Sequence, residues 1–288
     1  MPAADPTRLH ADVAFLTAIE PARQYLNLAS LNKAADYIRA EFEKLGGAVV
    51  TEQPYQAEGQ EYRNIIASFG PPEAERIIVG AHYDVCGEQP GADDNASAVA
   101  GLLETARLLQ PQAGALTRRL DFVAYSLEEP PFFATEHMGS AVHAQSLHAE
   151  KARVRAMFCY EMIGYFSDAP GSQQFPDAAL AALYPSTGNF IIVVGQQGQE
   201  ALTQQVQALM RAHSTIDVQR INLPASQPLA GLSDHRNYWH YGYEAVMIND
   251  TSFLRNPHYH EASDTLDTLD FERMAQVVDG VLGALLAL

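Results

Sequence analysis

The sequence predicts an α/β protein built on a mostly parallel, mixed β-sheet with helices on both faces. Three observations point there. From residue 75 onward, short apolar runs alternate with amphipathic stretches, the rhythm of strand–helix–strand units. Several of these runs, such as Ile77-Ile78-Val79 and Phe190–Val194, are apolar at consecutive positions, as strands covered on both faces are. Polar residues then cluster just after the runs, where open α/β sheets place their sites.

The elements follow in order. Leu9, Val13, Phe15-Leu16 and Ile19 mark a helix over about 7–20. A second helix has Asn32 or Ser30 as its cap, Ala35, Ile38, Phe42 and Leu45 as its stripe, and Gly46-Gly47 as its end. Val49–Thr51 and Asn64–Ser68 read as strands separated by the polar Glu58-Gly59-Gln60, the first an edge hairpin partner. Ile77–His82 is a strand, Ala98–Leu109 a helix, Leu120–Ser126 a strand, about 137–150 a helix and Val154–Tyr160 a strand. A long loop runs from Tyr165 to about 188. Phe190–Val194 is a strand, Ala201–Ala212 a helix, Ala245–Ile248 a strand and Phe271–Leu286 a terminal helix. With no internal repeat, low-complexity tract or linker, residues 1–288 are expected to form one domain.

Composition narrows the function. Apolar residues make up 47% and charged residues 18%, an ordinary globular balance. The net charge of -17, from 18 basic against 35 acidic residues, disfavours nucleic acid and anionic membranes as partners. No apolar run reaches the roughly 18 residues of a membrane span. Met1–Pro6 has neither a basic nor an apolar leader region, so no signal peptide is expected and the chain as written is assigned to the cytoplasm. A trimmed leader would move it to the periplasm or outside. Cys86 and Cys159 allow at most one disulfide and read more simply as free thiols.

Chemistry concentrates at four strand ends. His82 and Asp84 are two apart, so in extended backbone they point to one side. They suit a metal-binding imidazole oriented by a carboxylate, or equally a buried His bonded to a local Asp. Gly91-Ala92-Asp93-Asp94-Asn95 begins a helix, where one acid can cap and the other is left for something else. Glu128-Glu129 closes an apolar strand; adjacent ionised carboxylates repel unless a cation or proton lies between them. A metal site uses both, one as ligand and one as general base. Glu161 sits among apolar residues, where an acid needs a partner. A second imidazole comes late, as His258 or His260.

Taken together, His82-x-Asp84, Gly-Ala-Asp-Asp-Asn-Ala-Ser with Asp94, Glu128-Glu129, Glu161 in Glu-Met-Ile-Gly, and Tyr259-His260 resemble the co-catalytic dizinc aminopeptidases of clan MH, the twenty-eighth metallopeptidase family. The likeness runs in order from about residue 30 to the C-terminus. It implies a zinc-exopeptidase fold and two Zn2+ per chain. His82 and Glu161 would hold one ion, Glu129 and His260 the other, and Asp94 both. Glu128 would be the general base, Asp84 would orient His82, and Tyr259 would polarise the scissile carbonyl. The substrates implied are peptides with a free N-terminus. A cis Asp94–Asn95 peptide bond is also implied.

Three departures stand out. Many relatives carry Asp where this chain has Glu161. A usual Gly-rich turn is replaced by Pro130-Pro131-Phe132-Phe133-Ala134-Thr135-Glu136-His137. The choice between His258 and His260 is settled for His260 only by the Tyr-His match. Ser233-Asp234-His235 resembles a stretch lining the family's substrate pocket, or is simply a turn and an amphipathic helix. Phe132, Phe133 and Trp239 are expected to give that pocket apolar walls. The competing readings are a glutaminyl cyclase-like acyltransferase with one zinc and a non-catalytic binding module on the same fold.

Overall fold

The computed structural model describes residues 3–288. Eight strands hydrogen-bond into one mixed sheet of order β1-β2-β4-β3-β5-β8-β6-β7. They are β1 (Val49–Ala57), β2 (Gln60–Phe69), β3 (Arg76–His82), β4 (Arg119–Tyr125), β5 (Val154–Glu161), β6 (Phe190–Gln196), β7 (Asp217–Leu223) and β8 (Ala245–Asn249). β4, β3, β5 and β8 run parallel at the centre, so their carboxyl ends share one edge of the sheet. The expected hairpin is present: β1 pairs antiparallel with β2 around the turn at Glu58-Gly59.

The α-helices among the described residues are α1 (Pro6–Thr17), α2 (Leu28–Glu43), α3 (Ala98–Leu109), α4 (Gly139–Ala149), α5 (Ala178–Leu183), α6 (Glu200–His213), α7 (His235–His240) and α8 (Phe271–Ala287). One face of the sheet buries the larger core, built with α1, α2, α3, α6 and α8. The smaller core, with Ile78, Val123, Met157 and Met247 from the strands, is covered by α4 and α7. Central strands are thus apolar on both sides, which is why β3, β4, β5 and β8 lack a polar alternation. Gly80 in β3 is required by packing: a Cβ there would stand 2.3 Å from the Tyr125 ring. That ring belongs to a buried relay in which the Tyr125 and Tyr238 hydroxyls are 2.6 Å apart and Tyr238 Oη is 2.6 Å from His143 Nδ1.

Three elements differ from expectation. Helix α2 begins at Leu28 with Asn27 as its cap residue, a turn earlier than Ser30 or Asn32, and Ser30 is buried inside it. Its apolar stripe starts later than its backbone does, so the periodicity hid the first turn. The loop after Tyr165 contains α5, whose residues are all exposed or half-buried. β7 went unread because only Val218 in it is fully buried. As an edge strand paired on one side, it needs no continuous apolar run. No helix among the described residues is long and apolar enough to cross a membrane.

Candidate metal centre

The turn at residues 91–97 is held from several sides before it presents anything. Gly91 has φ 60°, and a Cβ there would meet Val85 at 2.3 Å and the Asp94 carbonyl at 2.4 Å. The fully buried Arg23 donates to the carbonyls of Tyr83 (2.9 Å), Pro90 (2.5 Å), Gly91 (2.6 Å) and Leu16 (3.2 Å). Asp264 accepts from the backbone N–H of Asp93 (2.9 Å) and of Asp94 (3.1 Å), one on each carboxylate oxygen. Asp93 does not cap a helix. Its Oδ1 accepts from Gly164 N (2.9 Å) and its Oδ2 from Asn256 Nδ2 (2.7 Å), which ties three loops together. The Asp94–Asn95 peptide bond is cis. Asp94 is left with both carboxylate oxygens directed at imidazoles.

His82, the last residue of β3, places Nε2 3.4 Å from Asp94 Oδ1 and 3.4 Å from Glu161 Oε2. Its Nδ1 lies 3.3 Å from Asp84 Oδ1. Asp84 also accepts from the backbone N–H of Glu128 (3.1 Å) and Glu129 (3.0 Å), so one carboxylate sets both the imidazole and the acid pair. The extra methylene of Glu161 is accommodated: its Oε2 still reaches His82, and it accepts from Ser233 Oγ at 2.5 Å. On the other side, His260 Nε2 is 3.0 Å from Asp94 Oδ2 and 3.4 Å from Glu129 Oε1. His258 is turned away, with Nδ1 2.9 Å from Ser263 Oγ. The Tyr259 ring stacks on His260 with centroids 3.8 Å apart.

The residues fit a pair of divalent cations on two counts. Tetrahedral ligands about 2.0 Å from a zinc stand about 3.3 Å apart, and the donor–donor distances above run from 3.0 to 3.4 Å. The electrostatics ask for positive charge as well. Burial pulls the His82 imidazole down, but Glu161 and Glu128 outweigh it and leave its pKa well above the ordinary value. His260, also opposed by burial, is raised to about 10 by Asp94 and Glu129. Burial drives Glu128 well upward, and takes Glu129, with Asp94 adding to it, to about 7. Glu129 Oε1 is buried without a hydrogen-bond partner. Groups able to hold an ion are His82–Asp94–Glu161, Cys86–Glu129–His260 and His82–Glu128–Glu129.

An apolar cavity opens beside these ligands. Asp94, Glu128, Glu129, Glu161, Tyr259 and His260 form its polar end, while Phe175, Leu180, Ile192, Leu229, Met247 and Phe253 are among its apolar walls. The expectation that Phe132 and Trp239 wall this pocket is corrected. Phe132 is 3% exposed and packs in the core against Tyr25 and Tyr62. Trp239 donates Nε1–H to the Ala245 carbonyl (3.0 Å) and lines a separate groove. His235 also stays outside the cavity, buried with Nε2 2.8 Å from the Ala230 carbonyl. Asp234 is buried; among the described residues neither carboxylate oxygen has a hydrogen-bond partner, and burial raises it to about 7.

Residues 64–285 match the model of peptidase family M28. The chain belongs to that family. It is 45% identical to the uncharacterized protein YfbL of Escherichia coli (strain K12) over 97% of this chain and 87% of that protein. A probable leucine aminopeptidase of Trichophyton verrucosum (strain HKI 0517) is 27% identical over 76% of this chain, which spans 55% of the fungal protein. Among solved structures, LapB from Legionella pneumophila superposes with a TM-score of 0.78 at 22% identity, covering 98% of this chain and 72% of that one. Glutaminyl cyclase from Bacteroides thetaiotaomicron superposes at 0.74 and 20% identity, covering 98% of each. Those two likenesses establish the fold: the mixed α/β sheet with helices on both faces is shared with LapB and with that glutaminyl cyclase.

Within the M28 framework, Arg23 and Asp264 escaped the sequence reading. Asp264 had a signal, an acid shortly after the late Tyr-His pair; Arg23 had none, since its partners are backbone carbonyls. Asp264→Asn keeps the volume but replaces one of the two accepting oxygens with a donor. Loosening of the Asp93–Asp94 turn is expected to weaken zinc binding about 10- to 100-fold, measured by competition with a chromophoric chelator. Unchanged affinity would show that Arg23 and the glycine suffice.

Proposed function

We propose that this M28 member is a zinc aminopeptidase that removes a large apolar residue from the N-terminus of peptides. The observation that carries the reading is the division of Asp94, whose Oδ1 lies 3.4 Å from His82 Nε2 and whose Oδ2 lies 3.0 Å from His260 Nε2, each imidazole having a glutamate of its own, Glu161 or Glu129, at 3.4 Å. Two zinc ions on these donors would supply Lewis acidity, polarising the scissile carbonyl and easing the loss of a proton from water.

The chain's own residues supply the rest. Glu128, 5% exposed and raised by burial, is suited to hold a proton: it takes one from the attacking water and hands it to the leaving amine as the C–N bond breaks. Asp84 keeps Glu128 and Glu129 in place through their backbone N–H groups. Tyr259 lines the cavity with its ring stacked on His260, where its hydroxyl can donate to the carbonyl oxygen as that oxygen gains charge. The cluster of acids favours a substrate's α-ammonium group, and the apolar walls favour a side chain such as leucine or phenylalanine. Two separate ligand groups, His82–Asp94–Glu161 and Cys86–Glu129–His260, support a two-ion hydrolase over the one-zinc cyclase reading.

The test is a panel of aminoacyl p-nitroanilides on zinc-loaded protein, with metal content measured alongside. Leucine and phenylalanine are expected to exceed alanine and glutamate in kcat/KM by about tenfold or more. A single zinc per chain with cyclisation of an N-terminal glutamine, and no anilide release, would overturn the proposal.

A further inference from the structure

Arg236, the second residue of α7, stands out among the arginines near the centre. Arg23 and Arg255 are held by carbonyl and side-chain acceptors. The Arg236 guanidinium, among the described residues, has no ion pair and no hydrogen bond; its carbon lies 4.8 Å above the Phe133 ring. Acids outnumber bases 35 to 18 in this chain, so a shortage of partners does not explain the unpaired charge. Arg236 is half-buried, and partial desolvation of a guanidinium is unfavourable unless something returns the lost interactions. Its backbone N–H donates to the Ser233 carbonyl (3.2 Å), and the Ser233 hydroxyl donates to Glu161 Oε2 (2.5 Å), so α7 starts directly beside the centre.

Its surroundings place it beside the reacting groups but off the apolar cavity. Phe133, Leu232, Arg236 and Trp239 line a groove next to the cavity, and Leu232 belongs to the walls of both. Phe133 comes from the Pro130–His137 segment, the part of the sequence that departs from the family pattern. If the cavity takes the N-terminal side chain, the neighbouring groove is left for the chain beyond the scissile bond.

We propose that Arg236, braced on Phe133, binds a carboxylate carried by the residue after the scissile bond, making short peptides with a free C-terminus preferred substrates. A guanidinium offers two parallel N–H donors that match a carboxylate, and the aromatic face beneath it fixes its plane. This inference rests on the aminopeptidase reading for the direction of the substrate, and its test separates the two.

Zinc-loaded protein is given Leu-Gly, Leu-Gly-amide and Leu-Asp-amide, and kcat/KM is measured for each. Calorimetry runs in parallel on the uncleavable reduced-bond analogues of Leu-Gly and Leu-Gly-amide. The free acid is expected to bind and turn over about tenfold better than the amide, with the difference in KM. Arg236→Gln should bring that ratio close to one, and Arg236→Lys should restore part of it. A preference for Leu-Asp-amide over Leu-Gly-amide that also needs Arg236 would show that a side-chain carboxylate reaches the subsite as well. Equal binding of acid and amide, or a ratio that survives in Arg236→Gln, would overturn the inference. A carboxylate preference in binding, dependent on Arg236 but without hydrolysis of Leu-Gly, would overturn the aminopeptidase reading and leave the subsite standing.

Discussion

Glu128→Gln is expected to lower kcat on leucine p-nitroanilide by about 10³-fold while zinc content stays unchanged. The amide fills the same volume, so the backbone bonds from Glu128 and Glu129 to Asp84 survive. What it lacks is a basic oxygen. Glu128 lies 3.8 Å from His82 Nε2, against 3.4 Å for Asp94 and Glu161, which suits a base beside the ions better than a ligand to one. An effect confined to kcat, with zinc retained, identifies a proton carrier. Undiminished turnover would remove Glu128 from that role, and loss of zinc would make it a ligand instead.

Asp94→Asn is the second large effect. On the proposed two-zinc reading, one substitution is expected to take zinc from two per chain to below one and to reduce turnover to background, whereas His260→Ala should cost a single ion. Asp94 is the one carboxylate directed at both imidazoles. Burial pushes it upward, but His260 and His82 hold it below the usual carboxylate range. An amide cannot supply that negative charge. Because an ion that binds only the folded state stabilises by about 2.7 kcal/mol at a hundred times its Kd, wild-type Tm should rise with added zinc and that of the variant should not. Elemental analysis and thermal melts read both outcomes. Two zincs retained in Asp94→Asn would reassign the shared ligand.

The legible part of this protein was the part with periodicity or with charge in an apolar setting. β3, α3, β4, β5, β8 and α8 are continuous apolar or amphipathic runs, and burial on a central sheet demands such runs whatever the tertiary details. The acids at their ends were visible for the complementary reason, since Glu161 next to Met162-Ile163 has no business there without a partner. α5 and β7 were not legible, because exposed helices and edge strands bury too little to leave a pattern. Phe132, in a loop, and Trp239, in α7, misled in the opposite direction: an aromatic signals packing, and the sequence does not say against what.

By itself, then, the sequence determined the alternation that makes the α/β sheet, the motifs that place the chain in the M28 family, and the positions of acids and imidazoles at successive strand ends. Tertiary structure alone decided how they meet. The order β4-β3-β5-β8 aligns four carboxyl ends on one edge, and that alignment brings His82 to Glu161 across 79 residues of chain. It also turned His260 inward and His258 to Ser263, spent Asp93 on bracing loops so that Asp94 stayed free, and left Arg236 over Phe133 with no ion pair among the described residues. Periodicity reports which side of an element is buried; it carries no information about which distant side chains share that burial. The turn at residues 91–97 shows the difference: two adjacent aspartates of equal standing in sequence are separated in role by Asp264, Gly164 and Asn256, which reach them only once the chain has folded.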